Sequence, residues 1–483
     1  MKKEFLFNIL FLLAINLLIK PFYIFGIDRT VQNLTGKEAY GLYFALFNFT
    51  LLFQIVADLG TQNYNNRIIS QHPYLAPKYF PAILTLRGAL ALLYMILVSG
   101  VAFFVYDSSH YQQLFWIALN QLLIAFILYL RSNIAGLALY RTDSVVSVID
   151  KVLMISFCSI LLWVEPFRSQ FRIEWFIWCQ TLTLSLTTLT ALIILLRRTG
   201  RLRLHFRLPL WIVFIKKSLP FALVIFLMTL YSRIDAVMLE RMIPDGPTQA
   251  GIYASAYRLL DASNMIGYLF ASLLLPMFAR LLKDREREGG SLELVDFSFK
   301  MIMSGAITAA ITTFYYRRDI MALLYHGDPV FSGDVMGILM SSFIAMCTIY
   351  IYGTLLTAHG DLKRMNQLFA ISIVLNIVLN LLLIPRYKAL GAALATCFTQ
   401  FFVAGLQWLL AHRLLKMKIR YGDLLRLLAF TVLLIFSVSW IGVFTVLSWT
   451  ERWFLSLISG GLLAFATGLL SWQGVMGMLK RDG

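Results

Sequence analysis

Ala39-Tyr40-Gly41-Leu42-Tyr43-Phe44-Ala45 and Gln249-Ala250-Gly251-Ile252-Tyr253-Ala254-Ser255 are two versions of one motif, roughly 210 residues apart. Ile27-Asp28 precedes the first as Ile234-Asp235 precedes the second. Each copy follows one long apolar run and opens another, so the spacing predicts a duplicated chain. What the two halves are made of is decided by the apolar runs around them.

The 483 residues are 59% hydrophobic, 14% aromatic and only 14% charged, with a mean hydropathy of +0.76. Soluble domains hold roughly 45–50% apolar and about 25% charged residues. A water-soluble fold of this length has no interior large enough for that apolar surface, so the solvent of this chain is lipid and most soluble enzyme classes are excluded. The balance of 42 Lys+Arg against 25 Asp+Glu, net +17, suggests nucleic acid only in a soluble protein. In a membrane protein it is the expected excess of basic residues in cytoplasmic loops, and no nucleic-acid partner is expected.

Runs long enough to cross a bilayer fall near 6–28, 39–65, 79–106, 112–139, 143–164 and 174–196. They resume near 213–240, 250–279, 297–316, 333–358, 365–385 and 389–412, and end with a pair near 427–448 and 453–479. A span needs about 20 residues, and the pattern predicts about fourteen transmembrane helices in an all-α membrane protein. The first run has a basic start but is too long for a cleaved signal peptide and lacks a small-x-small cleavage site, so it is expected to remain as the first span.

An even number of spans places both termini on one side. The loops and tails of that side hold 26 of the 42 basic residues and the opposite loops hold 10, which predicts cytoplasmic termini. The expected organisation is an N-lobe over 1–196, a basic cytoplasmic linker over 197–211, a C-lobe over 212–416, and two extra helices over 417–483. A shift of six spans preserves orientation, so the lobes are expected as parallel repeats about an axis along the membrane normal, with a cavity between them. In the linker, Leu202, Leu204, Phe206, Leu208 and Leu210 alternate with Arg201, Arg203, His205 and Arg207. Two readings stay open for it: a strip lying on the headgroups, or a basic loop that only sets topology.

No G-x-x-x-x-G-K-[ST], H-E-x-x-H or G-x-S-x-G occurs in the chain, which argues against an ATP-driven pump, a zinc protease or an α/β-hydrolase. The six histidines have no ligand spacing, and no metal is assigned to them. Cys158, Cys179, Cys347 and Cys397 sit singly in apolar runs and are expected to pack rather than pair. Membrane glycosyltransferases need a cluster of acids in an outer loop and a large soluble domain, and the runs leave room for neither.

Chemistry is carried instead by six cations inside spans: Lys20, Arg87, Arg131, Lys151, Arg233 and Arg258. Facing lipid at mid-depth, each costs about 2.5–3.5 kcal/mol even on the lenient insertion scale, so each is expected to face a cavity or a partner. Arg87, Arg131 and Lys151 lie near enough to a helix end to snorkel, and for them both readings stay open. Lys20 is deeper and precedes Pro21, which removes a backbone hydrogen bond and predicts a kink there. Tyr253, Tyr257 and Asp261 recur at i, i+4 and i+8, giving one polar face beside Arg258. Arg233 and Asp235 form either a structural ion pair or a cargo and coupling pair. Acids at depth are fewer: Asp58, Asp150, Asp235, Glu240 and Asp261. An excess of buried guanidinium and ammonium predicts a cavity for an anion, and phosphate or pyrophosphate suits those groups.

Three later stretches join the repeat in a recognisable order. They are Ser232-Arg233-Ile234-Asp235 with Ala250-Gly251-Ile252-Tyr253-Ala254-Ser255-Ala256-Tyr257-Arg258-Leu259, then Leu275-Pro276-Met277-Phe278-Ala279-Arg280, then Asn376 to Pro385 with Gly391-Ala392-Ala393-Leu394-Ala395-Thr396. In that order the chain resembles, over essentially its whole length, the Wzx-like polysaccharide and O-antigen flippases of the MOP exporter superfamily. The resemblance implies a bacterial inner-membrane flippase of lipopolysaccharide or other polysaccharide biosynthesis. Its cargo is a polyprenyl-pyrophosphate-linked oligosaccharide, moved by alternating access of two six-helix lobes.

On that resemblance Arg258, Lys20 and Arg233 hold the pyrophosphate or glycan, with Arg87, Arg131, Lys151, Tyr253 and Tyr257 as further cargo contacts. Asp235, Asp58 and Asp261 are structural or coupling acids. No cofactor is implied; Na+, H+ and the membrane potential stay open as driving forces. The expected partners are the lipid-linked glycan, membrane lipids and an assembly with a polysaccharide polymerase or ligase, the flippase itself being monomeric. The alternatives are a lipid II flippase, a MATE-type multidrug cation antiporter, which the cation excess disfavours, and an O-antigen polymerase or ligase, which calls for a long polar outer loop.

Overall fold

The computed structural model describes residues 15–470 except 17, 63–64, 66–67, 70–71, 138, 200–205, 289–292, 418–419 and 445, and leaves undescribed the side chains of 73, 220–221, 272, 276 and 283–288. Among the described residues all regular structure is helical, with 11 helices long and apolar enough to cross a membrane. Those 11 coincide with the runs from 79–106 to 427–448. The other three expected spans, 6–28, 39–65 and 453–479, fall where the chain is broken or partly outside the described residues. The alternating part of the linker, 201–205, is likewise outside them.

The chain forms two compact units, residues 1–251 and 252–483. In the first, helical residues 15–22 widen into a π-helical turn, Tyr23–Asp28, directly after Pro21. The proline lacks an N–H for the i→i−4 ladder, and the wider register accommodates the gap. Helix α1, Arg29–Leu52, follows but is interrupted at Gly36 (φ 85°, ψ 166°), a conformation open only to glycine, and there one span ends and the next begins. The short α2, Gln54–Asp58, stops at Leu59 in the left-handed region. Then come α3 (Ala76–Val105), α4 (Tyr111–Gly136), α5 (Tyr140–Trp163), α6 (Ile173–Thr199) and α7 (Leu208–Met242).

Contact density, as distinct from the sequence repeat, groups α7 with this first unit, because α7 packs along α1 and touches α2 and α3. The core includes Phe80, Leu86, Tyr129, Leu130, Leu195 and Phe214. Outside, α3 carries Leu92, Ile96, Phe103 and Phe104, each more than two-thirds exposed. Large apolar side chains turned outward along a helix whose polar groups turn inward require a hydrocarbon solvent.

Helix α8, Gly246–Glu288, starts in the first unit. Its Gly251 lies against α1: a Cβ on Gly251 would sit 2.0 Å from Lys37 O, and one on Gly41 would sit 1.8 Å from Pro247 O and 2.5 Å from Gly251 N. Gln32 Nε2 donates to Gly251 O at 2.8 Å. The two repeat glycines therefore meet at one crossing, where any side chain would hold the backbones apart.

The second unit continues with α9 (Glu293–Tyr315), α10 (Arg317–Leu324), α11 (Pro329–His359), α12 (Leu362–Tyr387), α13 (Ala389–Leu414), α14 (Tyr421–Gly442) and α15 (Trp449–Ala466). Asp328 caps α11 by accepting from Val330 N and Phe331 N. Ser448 and Glu451 form a reciprocal box at the start of α15, and these hydrogen bonds hold the Glu451 carboxyl below the usual carboxylate range. Small residues Gly391, Ala392, Ala393 and Ala395 are buried on α13, which packs closely on α11 and α12. The C-terminal helices α14 and α15 pack on each other and on α9. The segment after Tyr315 is mostly helix α10 rather than a long polar loop.

Candidate functional site

Within the first unit, three cations foreseen at depth converge. Lys20 is half-buried and interacts electrostatically with Lys151, Arg131 and Asp150. Lys151 Nζ lies 3.1 Å from Asp150 Oδ2 and 4.6 Å from the centroid of the Tyr23 ring, on the π-helical turn. Arg131, near the end of α4, makes a bidentate pair with Asp143 at the start of α5, at 2.8 and 3.1 Å. Asn16 Nδ2 donates to Ser147 Oγ on the same face of α5. Three cations against two carboxylates leave this cluster with an excess of positive charge. Fork geometry fixes Arg131, whereas Lys20 and Lys151 present compact point charges.

A second cluster lies nearby in sequence but differs in character. Arg87 on α3 is 1% exposed, ion-paired with Asp58, and donates to Thr61 Oγ1 at 3.0 Å and Ala125 O at 2.9 Å. Its Cζ sits 4.5 Å over the Tyr129 ring. Asp58 also accepts from Thr61 Oγ1 and Gln62 N. A cavity of about 130 Å³ opens beside it, with Gln54, Asp58, Gln62 and Thr229 as its polar lining. Asp58 faces this space while Arg87 stands behind it, held by donors spent inside the unit. On α7, Asp235 is 1% exposed and Arg233 is half-buried.

In the second unit, Arg258 is buried on α8 and donates to Tyr325 Oη at 3.0 Å, with its Cζ 5.8 Å from that ring's centroid. Tyr253 and Tyr257 approach ring to ring at 5.5 Å, and the Tyr253 hydroxyl shares a 2.9 Å hydrogen bond with Thr396 on α13. Asp261 is half-buried one turn further along α8. Below lies an amide ladder: Asn380 Nδ2 donates to Asn376 Oδ1 at 3.1 Å and Asn376 Nδ2 reaches Thr399 Oγ1 at 3.5 Å. Four groups in these clusters escaped the reading of the sequence as site residues: Tyr23, Asp143, Tyr129 and Tyr325. Their one local signal is a hydroxyl or carboxylate inside a long apolar run.

Apolar helices turned outward, with ion pairs and amide networks turned inward, define a multi-pass membrane protein. The family described as "Polysaccharide biosynthesis protein" matches residues 5–282, more than half of the chain, and this protein belongs to it. Capsular polysaccharide biosynthesis protein CapF of Staphylococcus aureus is 22% identical over 187 residues, 38% of this chain and 46% of that protein, so the match spans about half of the relative's length. Among solved structures, the chain is similar to a lipid II flippase MurJ in an inward closed conformation, with TM-score 0.69, 14% identity, and 92% and 96% of the two chains covered. It is also similar to an inward-facing multidrug resistance MATE family transporter of the MOP superfamily, with TM-score 0.61, 13% identity, and 81% and 93% covered. The helices are arranged as in these MOP superfamily structures, and the family is one of polysaccharide biosynthesis.

Proposed function

We propose that the protein carries a polyprenyl-pyrophosphate-linked oligosaccharide, an O-antigen or other polysaccharide repeat unit, across the cytoplasmic membrane by alternating access. The observation that carries this reading is the convergence of Lys20, Arg131 and Lys151 on two carboxylates in one unit. A bis-phosphate is the cargo chemistry that such an excess of half-buried positive charge suits. Arg258, buried in the second unit, is the remaining candidate for the pyrophosphate or glycan, with Arg233 beside Asp235 after it. A cation antiporter calls for the opposite balance. In this reading the chain acts as a monomer with both termini inside, without a cofactor, driven by Na+, H+ or the membrane potential, beside a polymerase or ligase.

Reconstitution tests it. Vesicles loaded on one leaflet with polyprenyl-pyrophosphate oligosaccharide are sampled with a membrane-impermeant lectin. Wild type is expected to expose glycan faster than protein-free vesicles. Lys20→Ala and Arg258→Ala should each slow exposure about tenfold or more, the worth of one charge-assisted contact. Exposure no faster than in empty vesicles, together with transport of organic cations, would overturn the reading.

A further inference from the structure

Transport makes no use of the thiols, yet packing brings two of them together. Helices α5 and α6 are consecutive, joined through residues 164–172, and pack along one another. Cys158 lies five residues before the end of α5, and Cys179 lies six residues after the start of α6. At 1.5 Å of rise per residue, the two stand about 8 and 9 Å from the ends that the connection joins, and so at one level. Cys158 shares the buried stripe of α5 with Met154 and Leu162, and its thiol hydrogen-bonds to the Cys179 sulfur. The expectation that all four cysteines pack singly therefore holds only for Cys347 and Cys397, which have no thiol among their interacting groups.

The surroundings of the pair are polar as well as apolar. Tyr23 and Asp28 of the π-helical turn lie within electrostatic reach of Cys158, and Asp28 accepts from Tyr40 Oη at 2.9 Å. Gln180, the residue after Cys179, donates to Tyr43 Oη at 2.8 Å. Cys158 is 0% exposed whereas Cys179 is partly exposed, so a reagent meets Cys179 first and finds a second sulfur behind it.

We propose that Cys158 and Cys179 form a redox modification site, in which an oxidant of the peroxide class converts the two thiols into a disulfide joining α5 to α6. The Cys179 sulfur attacks one peroxide oxygen. The O–O bond breaks, the departing oxygen leaves as water with the thiol proton, and Cys179 becomes a sulfenic acid. The Cys158 sulfur then attacks the Cys179 sulfur, the S–O bond breaks, and a second water leaves with the Cys158 proton. Two sulfurs are oxidised by one electron each and one peroxide is reduced to two waters. On the topology that the basic residues predict, the connection between the helices lies on the outer side, away from cytosolic reductants, where disulfides persist.

The full chain, purified under reductant and then freed of it, tests this with hydrogen peroxide as the probe. After treatment the protein is denatured, alkylated with iodoacetamide, digested and mapped by mass spectrometry. Most chains are expected to carry the Cys158 and Cys179 peptides linked, two hydrogens lighter than their sum, in protein that still runs as a monomer. Dithiothreitol should return both to alkylation, while Cys347 and Cys397 alkylate before and after peroxide. In Cys158→Ala, Cys179 has no resolving thiol and should remain as a sulfenic acid that dimedone traps. Should that variant not fold, the wild-type map decides alone, because Cys347 and Cys397 are its internal references. Alkylation of Cys158 and Cys179 undiminished by peroxide, oxidation of Cys179 without a link in wild type, or links formed as readily to Cys347 or Cys397 overturns the proposal.

Discussion

A guanidinium among apolar helices needs partners, and Arg87 has Asp58, Thr61 and Ala125 O on its two Nη groups and the Tyr129 ring against its face, while its Nε donates to no side chain or backbone oxygen. Removing one partner of such a pair strands the other charge, which costs about 3–5 kcal/mol, whereas removing both is far less harmful. Arg87→Leu is therefore expected to lower the melting temperature of the purified protein sharply, and Asp58→Leu with Arg87→Leu to recover more than half of the loss. A double variant no more stable than the single one would count against the pair as the source. From sequence, Arg87 is recognisable as a cation that needs a partner. The partner is not, because Asp58 lies 29 residues earlier on another element and only packing joins them. The same holds for Lys20, Arg131 and Lys151, each visible alone, whose convergence depends on how α4 and α5 pack beside the π-helical turn.

Elements were legible where a single property decides them. Hydropathy is local, so the runs from 79–106 to 427–448 coincide with helices. Pro21 announced the disturbance now seen as the π-helical Tyr23–Asp28. The run at 39–65 is different: the turn at Phe53 and left-handed Leu59 divide it, and these are backbone choices that apolar composition does not encode. The repeat motif acquires a physical reason at this scale, since Gly41 and Gly251 are the points where α1 and α8 cross at backbone contact. Gly41→Ala drives a methyl into a carbonyl oxygen that belongs to a helix, which no rotamer relieves, and should cost at least about 3 kcal/mol. Gly405→Ala, with nothing within 4 Å of the added carbon, should change stability by less than about 1 kcal/mol. Melting temperatures and monodispersity in detergent compare the two, and equal behaviour would remove the crossing as the motif's purpose.

For the molecule as a whole, the distribution of charge along the chain makes a claim that packing inside either unit does not. Basic residues number 26 on the side assigned to the termini and 10 on the other, an asymmetry that sets insertion because Lys and Arg resist translocation across the energised membrane. Two exposed positions at connections of opposite assignment read it out. Ser169 lies between α5 and α6, on the side with few basic residues, and Lys363 lies at the start of α12, on the basic side. The native cysteines are buried or partly buried within helices, so the unmodified chain serves as the background for an impermeant maleimide. In intact cells Ser169→Cys is expected to label, and Lys363→Cys to label only once the membrane is opened. Labelling in the reverse order would invert the chain, place both termini outside, and turn the proposed direction of cargo movement around with respect to every residue assigned to it. Labelling of both positions from one side would mean an even number of spans between them instead of the five expected, which would remove a span from the stretch α6–α11 and break the six-span shift on which the repeat's parallel orientation rests.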